Sequence, residues 1–298
     1  MTMPGPILGA IEAGGTKFVL AAGQDPSGPL VTHSVPTTTP EATLTAAAQW
    51  FAAQGQIRAL GIASFGPVDL DPASPTWGHI TATPKPSWSD CDIAGYFAQR
   101  FGVPIGFETD VNAAALAEFA QAAPGTSSLA YVTVGTGIGG GLVIDGKAVH
   151  GSAHPEMGHL FPRREAGDHG FAGICPFHGD CLEGLASGPA IKARWGASLS
   201  ELPADHEAHS IVAGYLAQLC HTLFAVSAVE TIVLGGGVMK APGLLERIKQ
   251  RADEIDAGYL PGRSRQTIRG PALGTESGMR GAMMLAEAAA KARVNLRP

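Results

Sequence analysis

The densest group of metal-binding side chains is Cys175-Pro176-Phe177-His178-Gly179-Asp180-Cys181, where a histidine stands three residues from a cysteine on either side. Sulfur and imidazole donors in a loop held by proline and glycine suit zinc, which takes four protein ligands in a tetrahedron when its role is structural and three plus water when it is catalytic. His159 is the best fourth ligand, with His154 and His169 as competitors from the same stretch. The plain alternative is a pair of buried free cysteines beside a surface histidine. A long irregular insert at 151–184 needs a staple, which favours four ligands and a structural ion. Glu156, His159 and Glu183 stand around it and could pair with the hydroxyls of a polyol, unless the glutamates are simply solvated loop residues.

A carboxylate with different prospects lies in Glu108-Thr109-Asp110-Val111-Asn112. It joins a predicted strand at 104–107 to a predicted helix at 112–121. The carboxyl ends of strands in open α/β sheets are where ligands collect. Asp110 there can accept the proton of an attacking hydroxyl in phosphoryl transfer, a reaction otherwise served by positioning and charge neutralisation. It can equally well be an N-cap. Glu12 is placed to help hold a magnesium ion.

Phosphates need many backbone N–H donors at close range, which glycine permits. Gly14-Gly15-Thr16-Lys17, the run Gly135-Thr136-Gly137-Ile138-Gly139-Gly140-Gly141, and Gly235-Gly236-Gly237 are three such places. Singly, each reads as well as an ordinary turn. There is no GxxxxGK[ST] loop, and the middle run is followed by a strand at 142–144, unlike a dinucleotide fingerprint.

The elements that must carry these residues fall into two similar halves. Strands at 7–13 and 18–22 flank the first glycine turn as a hairpin, with a third antiparallel strand at 31–35. A helix at 40–53, a strand at 60–64 and a helix at 93–101 follow. After the break at Pro124-Gly125-Thr126-Ser127-Ser128, strands at 129–134 and 142–144 repeat the hairpin with its glycine tip. Helices are predicted at 187–195, 207–229 and 243–257, with a strand at 231–234. A last helix at 277–291 is expected to return to the first half. This predicts an α/β chain duplicated in architecture. The expected lobes are 1–122 with the C-terminal helix at about 277–298, and 123–276.

Bulk properties narrow the function. The chain has 298 residues and a formal net charge of −6, with no general attraction for nucleic acid or anionic lipid. No basic, apolar leader opens it and no run approaches 18 uninterrupted apolar residues, so a cytoplasmic protein without a membrane span is expected. Four cysteines are too few for a disulfide scaffold.

Together these motifs resemble the ROK family of sugar kinases and repressors, over essentially the whole chain. Ile11-Glu12-Ala13-Gly14-Gly15-Thr16-Lys17 resembles its first phosphate loop, the 135–141 run its second, and Leu234-Gly235-Gly236-Gly237-Val238 its adenosine loop. Glu108-Thr109-Asp110-Val111-Asn112 resembles its catalytic motif and Pro155-Glu156-Met157-Gly158-His159 its sugar motif. Thr83-Pro84-Lys85-Pro86-Ser87-Trp88 and the 175–184 segment are similar to the bacterial fructokinase branch. The resemblance implies an actin-like, hexokinase-type (ribonuclease H-like) fold of two lobes with a cleft between them. It implies Asp110 as base, with Thr109, Glu156, His159 and Glu183 on the sugar. ATP would lie on Gly14, Gly15, Thr16, Lys17, Thr136, Gly137, Pro189, Gly235, Gly236, Gly237, Val238 and Met239. Magnesium would accompany ATP, structural zinc would sit on His159, Cys175, His178 and Cys181, and the chain would be a homodimer. Three departures stand out: His178 in place of a third cysteine, Thr109 where glucose-type members have Asn, and Glu12 where Asp is usual. The last two suit the fructokinase branch. With about six residues before Ile7, no DNA-binding helix-turn-helix is expected. Phosphorylation of another hexose, non-catalytic sugar binding and zinc-dependent hydrolysis are the competing functions.

Overall fold

The structure is a computed structural model that describes residues 5–168 and 170–295. The chain divides into two units. One comprises Met1–Ala120, Ala148–His154 and Thr275–Pro298; the other comprises Gln121–Lys147 and Pro155–Gly274. The short segment Ala148–His154 thus belongs with the N-terminal unit, although both its neighbours in sequence belong to the other.

In the first unit, β1 (Ile7–Ala13), β2 (Lys17–Gly23), β3 (Val31–Pro36), β4 (Ile57–Ser64) and β7 (Ile105–Thr109) form one sheet in the order β3-β2-β1-β4-β7. β1 pairs antiparallel with β2 and parallel with β4, and β4 pairs parallel with β7. β1 is almost wholly buried, as a near-continuous apolar run in a sheet covered on both faces should be. α1 (Pro40–Gln54) starts where Thr39 accepts from the Ala42 amide and Pro40 takes the first helical position. α2 (Ile93–Phe101) is capped by Asp92 and ended by Gly102 in the left-handed region. These helices cover one face through Phe51, Phe97, Phe18 and Leu60. α3 (Asp110–Ala120) and α8 (Ser277–Asn295) cover the other, where Ala282, Met283 and Ala286 lie on Leu8, Ala10, Ala59 and Ala63. The last helix therefore packs on the first unit.

The second unit repeats the order. β8 (Ser128–Val134), β9 (Ile138–Ile144), β10 (Lys147–Ala148), β11 (Thr231–Gly235) and β12 (Thr267–Arg269) form a sheet ordered β10-β9-β8-β11-β12. The hairpin β8–β9 is antiparallel, and β11 runs parallel to both β8 and β12. Its helices are α4 (Leu182–Ala186), α5 (Gly188–Trp195), α6 (Glu207–Ser227) and α7 (Leu244–Asp256). Each unit is thus a ribonuclease H-like sheet carrying its own glycine-tipped hairpin. By length and composition α6 could cross a bilayer, but 61% of its most apolar window is buried, as for a core helix.

Several expected boundaries shift. β4 begins at Ile57, α8 runs on to Asn295, and the helix expected from residue 112 starts at Asp110. The antiparallel pair β5 (His79–Ile80) and β6 (Cys91–Asp92), like β12, was not anticipated. Strands of two or three residues carry too little alternation to be seen in sequence.

Candidate active site

In the first unit, register alone brings two of the motifs together. Ala13 pairs with Ser64, and Ser64 pairs with Thr109, so β1, β4 and β7 end level. Gly14 and Asp110 therefore leave the sheet at the same carboxyl edge, two strands apart, about 10 Å at the usual strand spacing.

The capping role considered for Asp110 falls to its neighbour. The Asn112 amide donates to Thr109 Oγ1 at 3.1 Å, and Asp110 is the first residue of α3, its Oδ1 accepting from the Val111 amide at 2.9 Å. A carboxylate there is favoured by the helix dipole. Thr109 is 3% exposed, with its hydroxyl holding the start of the helix. Behind it, the buried Glu108 accepts from the Thr109 amide at 2.8 Å and from Asn112 Nδ2 at 2.9 Å through one oxygen. Its other oxygen meets His150 Nε2 at 2.6 Å. That hydrogen bond, with the charge of Glu108 adding to it and partial burial opposing, holds the His150 pKa above its ordinary value.

The first glycine turn has its carbonyls engaged from behind. Gly14 O accepts from Thr37 Oγ1 at 2.7 Å, Thr16 O from the Thr37 amide at 2.9 Å, and Gly15 O from Lys85 Nζ at 2.6 Å. A turn whose acceptors are occupied presents donors, which is what an anion requires. Gly15, Thr16 and Lys17 are exposed. Glu12, on the same strand, is largely buried; burial raises its pKa and the charge of Lys17 opposes the rise.

In the second unit the other two glycine turns meet at one sheet edge. Thr133 pairs with Gly235, and the Gly188 amide donates to Gly135 O at 2.8 Å. Gly236 has φ +96°, and a Cβ on it would run into the Val134 backbone, so glycine is required there. Thr136 and Gly137 form the hairpin tip, Pro189 opens α5, and Val238 and Met239 lie in the 3-10 turn Val238–Lys240. Glu183 Oε2 accepts from the Ile138 amide at 2.9 Å and so ties α4 to this tip.

The sugar motif forms a 3-10 turn, Met157–His159, packed on β9 so closely that any side chain at Gly158 would strike Ile138 O. Glu156 is exposed, its Oε2 4.0 Å from His159 Nε2. The other face of that imidazole looks into the cysteine loop. His159 Nδ1 lies 3.8 Å from Cys175 Sγ and 3.5 Å from Cys181 Sγ, and His178 Nδ1 lies 3.7 Å from Cys175 Sγ. All four donor atoms fall within 4.8 Å of one another. A tetrahedron with metal–sulfur bonds of about 2.3 Å and metal–nitrogen bonds of about 2.0 Å has edges of roughly 3.3–3.8 Å, its sulfur–nitrogen edges about 3.5 Å, so the donor set fits a metal ion. His154 is not part of this group. It belongs to the first unit, where its Nε2 accepts from the Val68 amide at 3.2 Å. His169 lies outside the described residues.

Sequence reasoning missed the clamp in the middle of the insert. Asp168, its side chain fully buried, accepts from Arg164, Arg194 and the Tyr215 hydroxyl. Arg164 also reaches Asp180 at 2.9 Å. This joins the insert to α5 and α6. Burial would raise the Asp168 pKa, but the Tyr215 and Arg164 hydrogen bonds and the two arginine charges outweigh it and leave the pKa low. No spacing signal marks these residues, which are drawn from three separate segments.

The chain is 49% identical to the fructokinase of Zymomonas mobilis over 292 residues, spanning 95% of this chain and 97% of that protein. It is 40% identical to the fructokinase of Pediococcus pentosaceus over 287 residues, covering 96% and 99%. Among solved structures, the ROK hexokinase of Thermus thermophilus superposes with a TM-score of 0.79 at 28% identity, covering 96% of this chain and 99% of that one. The actin-like, hexokinase-type fold expected from sequence is the fold observed. Residues 8–289 match the ROK family, and the chain belongs to it.

Proposed function

We propose that this protein is an ATP-dependent fructokinase that transfers the γ-phosphoryl group to the 6-hydroxyl of D-fructose. Asp110 is the general base: it takes the hydroxyl proton as the sugar oxygen bonds to the γ-phosphorus and the bond to the ADP oxygen breaks. The observation that carries the kinase reading is the level ending of β1 and β7, which puts a carboxylate and a donor-rich glycine turn on one edge. The choice of fructose rests on the near full-length similarity to fructokinases.

Glu156, His159 and Glu183 hold the sugar in this reading, and Thr109 serves by fixing the start of α3. Gly14, Gly15, Thr16, Lys17, Thr136 and Gly137 receive the phosphates. Pro189, Gly235, Gly236, Gly237, Val238 and Met239 receive the adenosine end. Magnesium, when bound, would neutralise phosphate charge, and Glu12, on the strand that leads into the first glycine turn, would help hold it. His159, Cys175, His178 and Cys181 would hold a structural zinc, a reading supported by their donor atoms lying within 4.8 Å of one another. The exposed Phe161, Ile174 and Phe177 around that loop support a homodimer. A cytoplasmic location belongs to the same reading.

The test is magnesium-dependent ATP consumption against fructose, mannose, glucose and N-acetylmannosamine. Fructose is expected to give the highest kcat/KM; a poor rate with fructose and a high one with another hexose refutes the substrate. Asp110→Asn is expected to lose turnover while still binding fructose. Near-normal turnover in that variant removes Asp110 as the base.

A further inference from the structure

We propose that Lys85 is a second functional cation at the first glycine turn, supplying charge to the phosphate chain of the nucleotide beside Lys17; this rests on the kinase reading above. Lys85 arrives at the turn from a loop seventy residues further along the chain, and its Nζ donates to Gly15 O at 2.6 Å. Its own loop is tied internally. The Trp88 amide donates to Lys85 O at 3.2 Å, Ser89 Oγ donates to Thr83 O at 3.2 Å, and Ser87 holds φ +68°. Trp88 is fully buried, donates from Nε1 to Thr38 O at 2.8 Å and lies against the rings of Phe18 and Phe65.

A flexible lysine normally keeps its ammonium in water. Here the stem is half-buried and the ammonium is delivered to a fixed point. Holding the turn together does not call for a charge, since Thr37 ties the two neighbouring carbonyls with a hydroxyl and an amide. The bond to Gly15 O uses one of three ammonium N–H donors and leaves two for phosphate oxygens. In a chain of net charge −6, two lysines at one anion-binding turn are a local concentration of the sign that a triphosphate needs.

Three substitutions separate charge from tie. Lys85→Met removes both, Lys85→Gln keeps a donor for Gly15 O without charge, and Lys85→Arg keeps the charge. Steady-state kinetics are measured for ATP and fructose, and the affinity for the β,γ-imido analogue of ATP with magnesium is measured by calorimetry. Lys85→Met and Lys85→Gln are both expected to lose about 100-fold in kcat/KM for ATP, the scale of one electrostatic contact to developing charge, with KM for fructose unchanged. Lys85→Arg is expected to stay within about tenfold of the parent. Both neutral variants are also expected to lose about tenfold in analogue affinity, which judges Lys85 even if the parent phosphorylates no hexose and the kinase reading itself fails. Lys85→Gln matching the parent in kinetics and affinity overturns the proposal and leaves Lys85 a tie. A loss in Lys85→Met alone does the same.

Discussion

Replacing Asp168 by alanine removes the acceptor shared by Arg164, Arg194 and Tyr215, and the cost can be assembled from their surroundings. The Tyr215 hydroxyl is buried with Asp168 as its carboxylate partner, and a buried donor left without an acceptor costs about 1–3 kcal/mol. Arg194 has an 11% exposed side chain packed against the Trp195 and Phe171 rings, so its charge would be stranded in poorly hydrated surroundings. Arg164 adds little, because it is 36% exposed and keeps Asp180 and Phe171 O. Removing one partner from a buried ionic group costs about 3–5 kcal/mol, and with the Arg164 share discounted about 3–4 kcal/mol is expected here. That is a large part of the total stability of an ordinary domain. Urea unfolding followed by tryptophan fluorescence measures it, with Trp195 as a local reporter. Asp180→Ala is the control: its side chain is 46% exposed and, among the described residues, pairs with Arg164, so less than about 1 kcal/mol is expected. The pH dependence has a definite sign. The Asp168 pKa is lowered in the folded protein, so its contribution is complete above the unfolded value near 4 and disappears as pH falls through the lower folded value. The parent and Asp168→Ala should therefore converge in stability toward acid pH. If Asp168→Ala costs no more than Asp180→Ala at pH 7, the clamp is not the strong point described.

Removing metal from the His159, Cys175, His178 and Cys181 group with a strong chelator is expected to lower Tm by about 10 °C, corresponding to roughly 3–4 kcal/mol, and elemental analysis is expected to find one zinc per chain. An unchanged Tm in metal-free protein would remove the staple. His150 titrates above its ordinary value because of Glu108, so its stabilisation is present below about pH 6.5 and lost as pH rises through the raised folded value. The stability difference between the parent and His150→Gln should shrink between pH 6 and pH 9, and a constant difference would contradict the pairing. Gly158→Ala forces a methyl group against Ile138 O and should cost about 1–3 kcal/mol in urea unfolding. It should also raise KM for fructose at least about tenfold; a parent-like KM would show that the turn does not set the sugar contacts.

Much of this protein is legible in its sequence because the signals are local. Thr39-Pro40 and Asp92 start helices and Gly102 ends one within a few residues of the element concerned. The two glycine-tipped hairpins announce the repeated halves before either sheet is seen, and the spacing of Cys175, His178 and Cys181 already places three donors on one loop. What tertiary structure alone decided are pairings across long stretches of chain. Examples are Lys85 on Gly15, His150 on Glu108, Asp168 among residues of α5 and α6, and His154 on Val68 rather than among the metal ligands. It also settled that Thr109, not Asp110, caps α3, a difference of one residue in where the helix begins. Turn residues and apolar periodicity act over one or two turns of backbone. A carbonyl or carboxylate chooses its distant partner only when packed sheets and helices bring them within hydrogen-bond range, and no spacing rule records that choice.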